Sequence, residues 1–289
     1  MATPEQILRV IVDRKVAKQR AKEAIVCLWN MLAIECEEVL KAQVLLDSCV
    51  RFDLEDDADI AALRERTATM LRGFESMQAE MAEVIRYENS RPALPEEAYA
   101  LVSMPPRATW IAAYLAETKQ ASVLDLAPGN AQISVQLLYY LALVGAPIPR
   151  WVASGYESKV LRHGEDFCRR RSVPIEFAPC AALYYTDAPG GPFDVVLLLE
   201  VLEHVRHPLT LLHEARRRGR KVVVTVPGAD TLDGRAARIA STEPRPHVRQ
   251  FTPRSLAALL GISESEVATI SNSPADIGVV YAAIIDGVA

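Results

Sequence analysis

The second part of the chain alternates short β-rich runs with helical stretches, and this alternation constrains the fold more than any other feature. Five such runs follow one another from Ala121 to Pro227. They are SVLDLA, RWVASGYE, VPIEFA, FDVVLLLE and KVVVTVP. Consecutive parallel strands need a crossover connection, which is usually a helix. The alternation therefore predicts an α/β fold with a doubly wound, mainly parallel sheet.

Two further β-rich runs, at about 265–271 and 277–286, close the chain. The link between them is too short for a parallel crossover, so one of these two strands is expected to run antiparallel. The complete prediction is a mainly parallel sheet of seven strands.

The first ninety residues have the composition and periodicity of long helices. They contain no glycine before Gly73, and Pro4 is the only proline before Pro92. An apolar stripe with a period of about 3.5 residues, typical of a coiled-coil seam, marks the second helix. Its members are Ile60, Leu63, Thr67, Met70, Phe74, Met77, Met81 and Val84. A similar stripe earlier in the chain comprises Ile25, Trp29, Leu32, Cys36 and Val39. We expect an antiparallel helical hairpin, packed on the rest of the monomer or mediating self-association.

A proline-rich joint over residues 89–96 separates this hairpin from the sheet. Two shorter helices are expected after it, at 95–103 and 106–118. The predicted organisation is a helical hairpin at 1–90, a linker with lid helices at 91–120, and the sheet domain at 121–289.

Composition narrows the class of protein. Residues 121–289 carry equal numbers of basic and acidic residues, so the net charge of −5 comes from the first 120 residues. This balance disfavours nucleic-acid binding, and no apolar run approaches the ~18 residues of a membrane span. The N-terminus lacks the apolar core of a signal peptide, and the five cysteines form no CxxC pair. We therefore expect a cytoplasmic protein that is not bound to membranes.

Candidate binding residues follow the first two strands, at the sheet edge where doubly wound folds bind ligands. Asp125 ends the first strand and precedes a loop of small residues. It could brace the loop amides or contact a cationic ligand. Glu157 follows the second strand, where an acid can accept both hydroxyls of a ribose. The alternative is that Glu157 is a first-turn carboxylate favoured by the helix dipole.

Five motifs in order give residues of about 121–289 a clear family resemblance. They are the small-residue loop after the first strand, the acid after the second, FDVV…EVLEH, VVVTVP, and His247–Val248–Arg249–Gln250–Phe251–Thr252 before a helix. Together they resemble the class I S-adenosylmethionine-dependent methyltransferases, in the branch that includes the ubiquinone-biosynthesis O-methyltransferases. Their order and spacing are more specific than any one motif.

The resemblance implies S-adenosylmethionine as cofactor and assigns residues to it. The implied contacts are Asp125, Ala127 and Gly129 at the methionine end, Glu157 at the ribose, Cys180 and Ala181 at the adenine, and Glu200 and Val201 below the sulfonium. Two departures stand out. Ala127 and Ala131 replace glycines of the family loop, and Cys180 replaces the acid that usually faces the adenine.

The predicted activity is O-methylation of a small-molecule or saccharide hydroxyl. His204 and His247, with Glu203 nearby, are the candidate groups for removing the hydroxyl proton. No metal is assigned.

Two alternatives remain open. Glu200, Glu203, His204 and His247 also match the pattern of small-RNA 3′-terminal ribose 2′-O-methyltransferases, where they would suit Mn²⁺ or Mg²⁺. A degenerate methyltransferase fold acting as a scaffold is the other alternative.

Overall fold

The computed structural model describes residues 58–181, 183–228, 249–271 and 279–288. The chain divides into two compact units, Met1–Met81 and Ala82–Ala289. The first helix of the expected hairpin lies outside the described residues.

The helices are α1 (Ala58–Ser90), α2 (Pro106–Thr118), α3 (Gln132–Leu143), α4 (Lys159–Arg171), α5 (Pro208–Arg218) and α6 (Pro253–Leu260). The strands are β1 (Ser122–Leu126), β2 (Arg150–Ser154), β3 (Ile175–Phe177), β4 (Phe193–Leu199), β5 (Gly219–Pro227), β6 (Ala268–Ser271) and β7 (Val279–Asp286).

The seven strands form one sheet in the order β3-β2-β1-β4-β5-β7-β6. Neighbours among β1 to β5 pair in parallel, whereas β7 pairs antiparallel with both β5 and β6. The predicted fold class is therefore confirmed, including the antiparallel terminal strand. In the register, Asp125 lies between Ala153 of β2 and Leu197 of β4.

Alternate residues of the central strands are buried on opposite faces of the sheet, as the twofold periodicity of a strand requires. On one face Val123, Val195, Leu197 and Val223 share a hydrophobic cluster with residues of α2, α3 and α4. The intervening residues, such as Leu124, belong to the other face and are equally buried. Helix α5 packs against β4 and β5. Burial on both faces explains why these strands are almost wholly apolar.

The continuous helix expected at residues 95–103 does not form. Residues 95–103 form two separate 3₁₀ turns, Glu96–Tyr99 and Leu101–Ser103, interrupted by extended Ala100. The side chains of Gln132 and Gln136 in α3 donate to the carbonyl groups of Ala98 and Ala100 in this segment.

Helix α1 carries the heptad stripe, of which four members are buried among the described side chains: Ile60, Leu63, Thr67 and Val84. The Thr67 hydroxyl donates to the Leu63 carbonyl at 2.9 Å, which satisfies this polar group inside the stripe. None of the described helices is both long and apolar enough to cross a membrane.

Candidate active site

The parallel arrangement brings the predicted site residues to one edge of the sheet. Strands β1 to β4 run in the same direction, so their carboxyl ends meet at this edge. Asp125, Glu157, Cys180 and Glu200 lie at or just beyond these four ends. The sheet therefore assembles the candidate site from segments that are far apart in sequence.

The loop between β1 and α3, residues 127–131, has a left-handed backbone at alternate positions. Ala127, Gly129 and Ala131 have φ angles of 61°, 57° and 58°. A left-handed conformation costs a residue with a Cβ about 1–2 kcal/mol, a cost that glycine avoids. The two alanines thus adopt the backbone conformation that glycine would favour.

Asp125 is buried and points towards α3. Its Oδ2 accepts a hydrogen bond from the Ser134 hydroxyl at 2.5 Å, and Trp151 Nε1 donates to the same hydroxyl at 3.0 Å. Burial raises the pKa of Asp125 to about 7, against the opposing effect of the Ser134 hydrogen bond. The residue joins β1 to α3 through a buried polar chain, which is neither of the two roles considered from the sequence.

Glu157 has an accessible carboxylate. Its side chain is 68% exposed, and Oε1 lies 3.4 Å from Arg162 Nη1 in an exposed ion pair. The neighbouring Ser158 caps α4 by accepting from Leu161 N at 3.1 Å. The cap leaves the Glu157 carboxylate at the beginning of α4, where it can accept hydrogen bonds from a ligand.

Cys180 is buried, and its Sγ lies 3.0 Å from the Ser154 hydroxyl. Burial raises the pKa of this thiol to about 11, so the sulfur is uncharged at neutral pH. The next residue, Ala181, is exposed and donates its N–H to Asp187 Oδ2 at 2.8 Å. Asp187 is therefore the carboxylate beside the expected adenine position. Sequence analysis missed it because no motif marks the β3–β4 connection.

Glu200 lies just after β4 in a left-handed conformation, with φ of 57°. Its N–H donates to the Thr225 carbonyl at 3.0 Å, which ties the end of β4 to β5. Strain of this kind in a non-glycine residue is concentrated at functional sites, where the surrounding structure maintains it. Val201 follows it and is buried.

Glu200 and Glu203 form an acidic pair, in which Glu203 is buried and Glu200 is half-buried. Burial raises the pKa of both carboxyls, and the charge of Glu200 raises that of Glu203 further. The positive charge of Arg107, at the start of α2, acts in the opposite direction on both. Glu200 Oε1 and Glu203 Oε2 are buried without a hydrogen-bond partner among the described residues.

His204 lies next to this pair, with Nε2 3.8 Å from Glu203 Oε1. Its side chain is 24% exposed, whereas that of Glu203 is 1% exposed, so the imidazole is the more accessible of the two. Arg249 N donates to the Glu203 carbonyl at 3.2 Å and brings the segment before α6 to this site. His247 lies outside the described residues.

Within the described ranges, no group of three or more His, Cys, Asp or Glu side chains is placed to hold a metal ion. Since His247 is not among them, the four-residue metal set considered from the sequence is not tested.

A family model for a methyltransferase domain matches residues 107–261, more than half of the chain. The match runs from the first turn of α2 to the residue after α6 and includes every described residue of the candidate site. No curated protein matches this sequence.

Solved structures of similar fold include three with 15–19% sequence identity. The N-terminal domain of EvdMO1, in the presence of SAH and D-fucose, has 19% identity and a TM-score of 0.45, covering 63% of this chain and 83% of that one. A putative O-methyltransferase from Nostoc punctiforme has 19% identity and a TM-score of 0.48, covering 74% and 68%. Magnesium protoporphyrin IX methyltransferase from Synechocystis, with bound SAH, has 15% identity and a TM-score of 0.46, covering 70% and 97%.

The family match covers the parallel part of the sheet. The matched segment contains the five parallel strands and the loop that follows β1. The chain belongs to the methyltransferase-domain family and is a class I S-adenosylmethionine-dependent methyltransferase.

Proposed function

We propose that this protein methylates a hydroxyl group of a small molecule or saccharide. The observation that carries the proposal is the pairing of His204 with buried Glu203. The Nε2 atom of His204 lies 3.8 Å from Oε1 of Glu203. A hydroxyl acceptor must lose a proton during methylation, and an imidazole supported by a carboxylate is suited to take it.

The residues at the sheet edge fit the cofactor. The left-handed loop lets a ligand approach the backbone at Gly129, and the exposed Glu157 carboxylate can accept hydrogen bonds from ribose hydroxyls. The proposed cofactor contacts remain Asp125, Ala127, Gly129, Glu157, Cys180, Ala181, Glu200 and Val201. Of these, Asp125 and Cys180 would act through the backbone, because their side chains are buried in contacts with Ser134 and Ser154. When bound, S-adenosylmethionine supplies a methyl group already activated by its sulfonium.

Proton transfer is assigned to His204. A ring nitrogen of His204 takes the acceptor proton, and the ionised Glu203 carboxylate stabilises the resulting positive charge from 3.8 Å. Burial of the carboxylate keeps water from screening this attraction. His247 is a second candidate base in the proposal.

The segment before the sheet is proposed to cover the acceptor. Arg107 supports this role for residues 91–120, because its charge acts on both Glu200 and Glu203. Residues 1–90 are proposed as an assembly element and 121–289 as the catalytic domain. Analytical ultracentrifugation of the full chain tests the assembly role, which a monomer at all concentrations would contradict.

The cofactor site is tested by calorimetry with S-adenosylhomocysteine. Replacing Glu157 by Ala is expected to weaken binding by about 10- to 100-fold, since a hydrogen bond to a charged group is lost. Glu176→Ala is the matched control, because Glu176 is also an exposed carboxylate in an exposed ion pair, with Arg150 at 2.8 Å. Equal binding by both variants would contradict the assignment of Glu157.

The acceptor is tested by incubating the protein with methyl-labelled S-adenosylmethionine and matched sets of sugars, phenols, amines and short RNAs. Transfer to sugars or phenols, unaffected by EDTA, is the expected result. Transfer to RNA that requires Mn²⁺ would instead support the metal-dependent ribose methyltransferase. Binding of S-adenosylhomocysteine without transfer to any hydroxyl compound would count against the proposed acceptor class.

A further inference from the structure

Residues 89–100, which we call the strap, contact α4 at both of its ends. Asn89 Oδ1 accepts a hydrogen bond of 2.7 Å from the N–H of Lys159, the first residue of α4. Glu96 forms an ion pair with Arg171, the last residue of that helix. The strap therefore follows the full length of α4.

The same segment is bonded to the first turns of α3. Gln132 Nε2 donates to the Ala98 carbonyl at 2.8 Å. Gln136 Nε2 donates to the carbonyls of Ala98 and Ala100 at 2.9 and 3.1 Å. Both glutamines project from the helix that begins directly after the 127–131 loop, so the strap is fixed next to that loop.

Tyr99 makes the direct connection from the strap to the loop. Its side chain is buried, and its ring stacks on Phe167 of α4 with centroids 3.8 Å apart. The hydroxyl donates to the Asn130 carbonyl at 3.3 Å. Burial raises the pKa of Tyr99 to about 12, which keeps the hydroxyl protonated and able to donate.

The Asn130 carbonyl is also restricted by α4. A Cβ built on Gly164 would lie 2.3 Å from this oxygen, so the loop approaches the helix backbone as closely as a glycine permits. The Asn130 side chain contributes a further restraint, because its Oδ1 accepts from Gln132 N at 3.2 Å. The carbonyl is thus held between Gly164 and the Tyr99 hydroxyl.

We propose that Tyr99 is a positioning residue for the cofactor loop. It holds Asn130, and through it the left-handed turns at Gly129 and Ala131, in the conformation that receives the methionine end of the cofactor. Its ring on Phe167 gives the hydroxyl a fixed anchor outside the loop. The inference rests on the proposed cofactor site.

Tyr99→Phe tests this role, because it keeps the stacked ring and removes the hydroxyl. We expect the Kd for S-adenosylhomocysteine to rise about 3- to 10-fold, from the loss of one hydrogen bond. The value of kcat at saturating S-adenosylmethionine is expected to stay unchanged, while KM for the cofactor rises. In the ligand-free protein, amide hydrogen exchange at 127–131 is expected to become faster.

Tyr114→Phe is the matched control, since Tyr114 packs on the same hydrophobic cluster but lies outside the strap. It is expected to leave Kd and loop exchange unchanged. Unchanged Kd and exchange in Tyr99→Phe would overturn the proposal, as would an equal change in both variants. If the wild-type protein fails to bind S-adenosylhomocysteine, the proposal of a cofactor site is wrong. Amide exchange of the loop in the ligand-free protein still decides whether Tyr99 positions residues 127–131.

Discussion

The Glu203 carboxyl is buried near that of Glu200, and both its burial and the negative charge of Glu200 raise its pKa. Arg107 opposes this shift but does not cancel it. Ionised Glu203, which the proposed mechanism requires, is therefore formed only at a higher pH than for an exposed glutamate. The pH dependence of the proposed proton transfer is therefore expected to depend on both Glu200 and Glu203.

Removing the charge of Glu200 should lower the pKa of Glu203. In Glu200→Gln, the acidic limb of kcat against pH is expected to move to lower pH. The reason is that the negative charge of Glu200 no longer opposes the ionisation of Glu203. The profile is measured with an acceptor found in the labelling experiment. An unchanged limb, or one shifted to higher pH, would show that Glu203 does not control it.

Glu203→Gln should separate binding from catalysis. We expect kcat to fall by about 100-fold, the lower end of a general-base contribution, because His204 loses the carboxylate that stabilises its protonated form, while the Kd for S-adenosylhomocysteine changes little. Glu264→Gln, a change at an exposed residue of a 3₁₀ turn, serves as the control. A variant with full kcat would rule out the His204–Glu203 pair as the base.

Buried Asp125 should make stability depend on pH. Its folded pKa of about 7 is above the ordinary value of 3.8, so the folded state binds the additional proton between these values. Stability from this group is complete below about pH 4 and is lost as pH rises to about 7. In urea unfolding, Asp125→Asn should lack this decline, so its free energy of unfolding should rise relative to the wild-type value as pH increases towards 7. Parallel pH curves for the two proteins would contradict the assignment.

The left-handed Ala127 should tolerate glycine better than a helical alanine does. Relief of about 1–2 kcal/mol of backbone strain offsets the entropy that glycine adds to the unfolded chain, so Ala127→Gly should leave stability nearly unchanged. Ala113→Gly, at an exposed position inside α2, should lose about 1 kcal/mol. Chemical denaturation measures both. Equal losses would indicate that Ala127 is not strained.

Arg218 should stabilise the β3–β4 connection that carries Asp187. Its buried guanidinium pairs with Glu214, and Nη2 donates to the Thr186 carbonyl at 2.8 Å. Arg218→Met is expected to cost about 2–4 kcal/mol, because buried polar partners lose their donor. Arg217→Met removes an exposed partner of the same Glu214 and should cost less than about 1 kcal/mol. Similar Tm values for the two variants would contradict this difference.

Much of the fold was predictable because strand and helix periodicity is local. The short link between the last two β-rich runs was enough to predict that one of these strands is antiparallel, and the structure shows that it is β7. The apolar run of β4 reflects burial on both faces. By contrast, the hydrogen bond from Gln136 to the Ala100 carbonyl joins residues 36 positions apart. No local pattern in the sequence contains that contact.

The amino-acid order alone established the strands, their mainly parallel arrangement and the identities of the residues at their carboxyl ends, because these depend on short-range patterning and on strand connections. Only the tertiary structure decided what those side chains do. In the folded chain Asp125 is hydrogen-bonded to Ser134, and Cys180 contacts the Ser154 hydroxyl. Glu157 is exposed, and Asp187 accepts a hydrogen bond from Ala181. The reason is that the contacts and burial of a side chain are set by neighbours from other parts of the chain, which meet only when the sheet has formed.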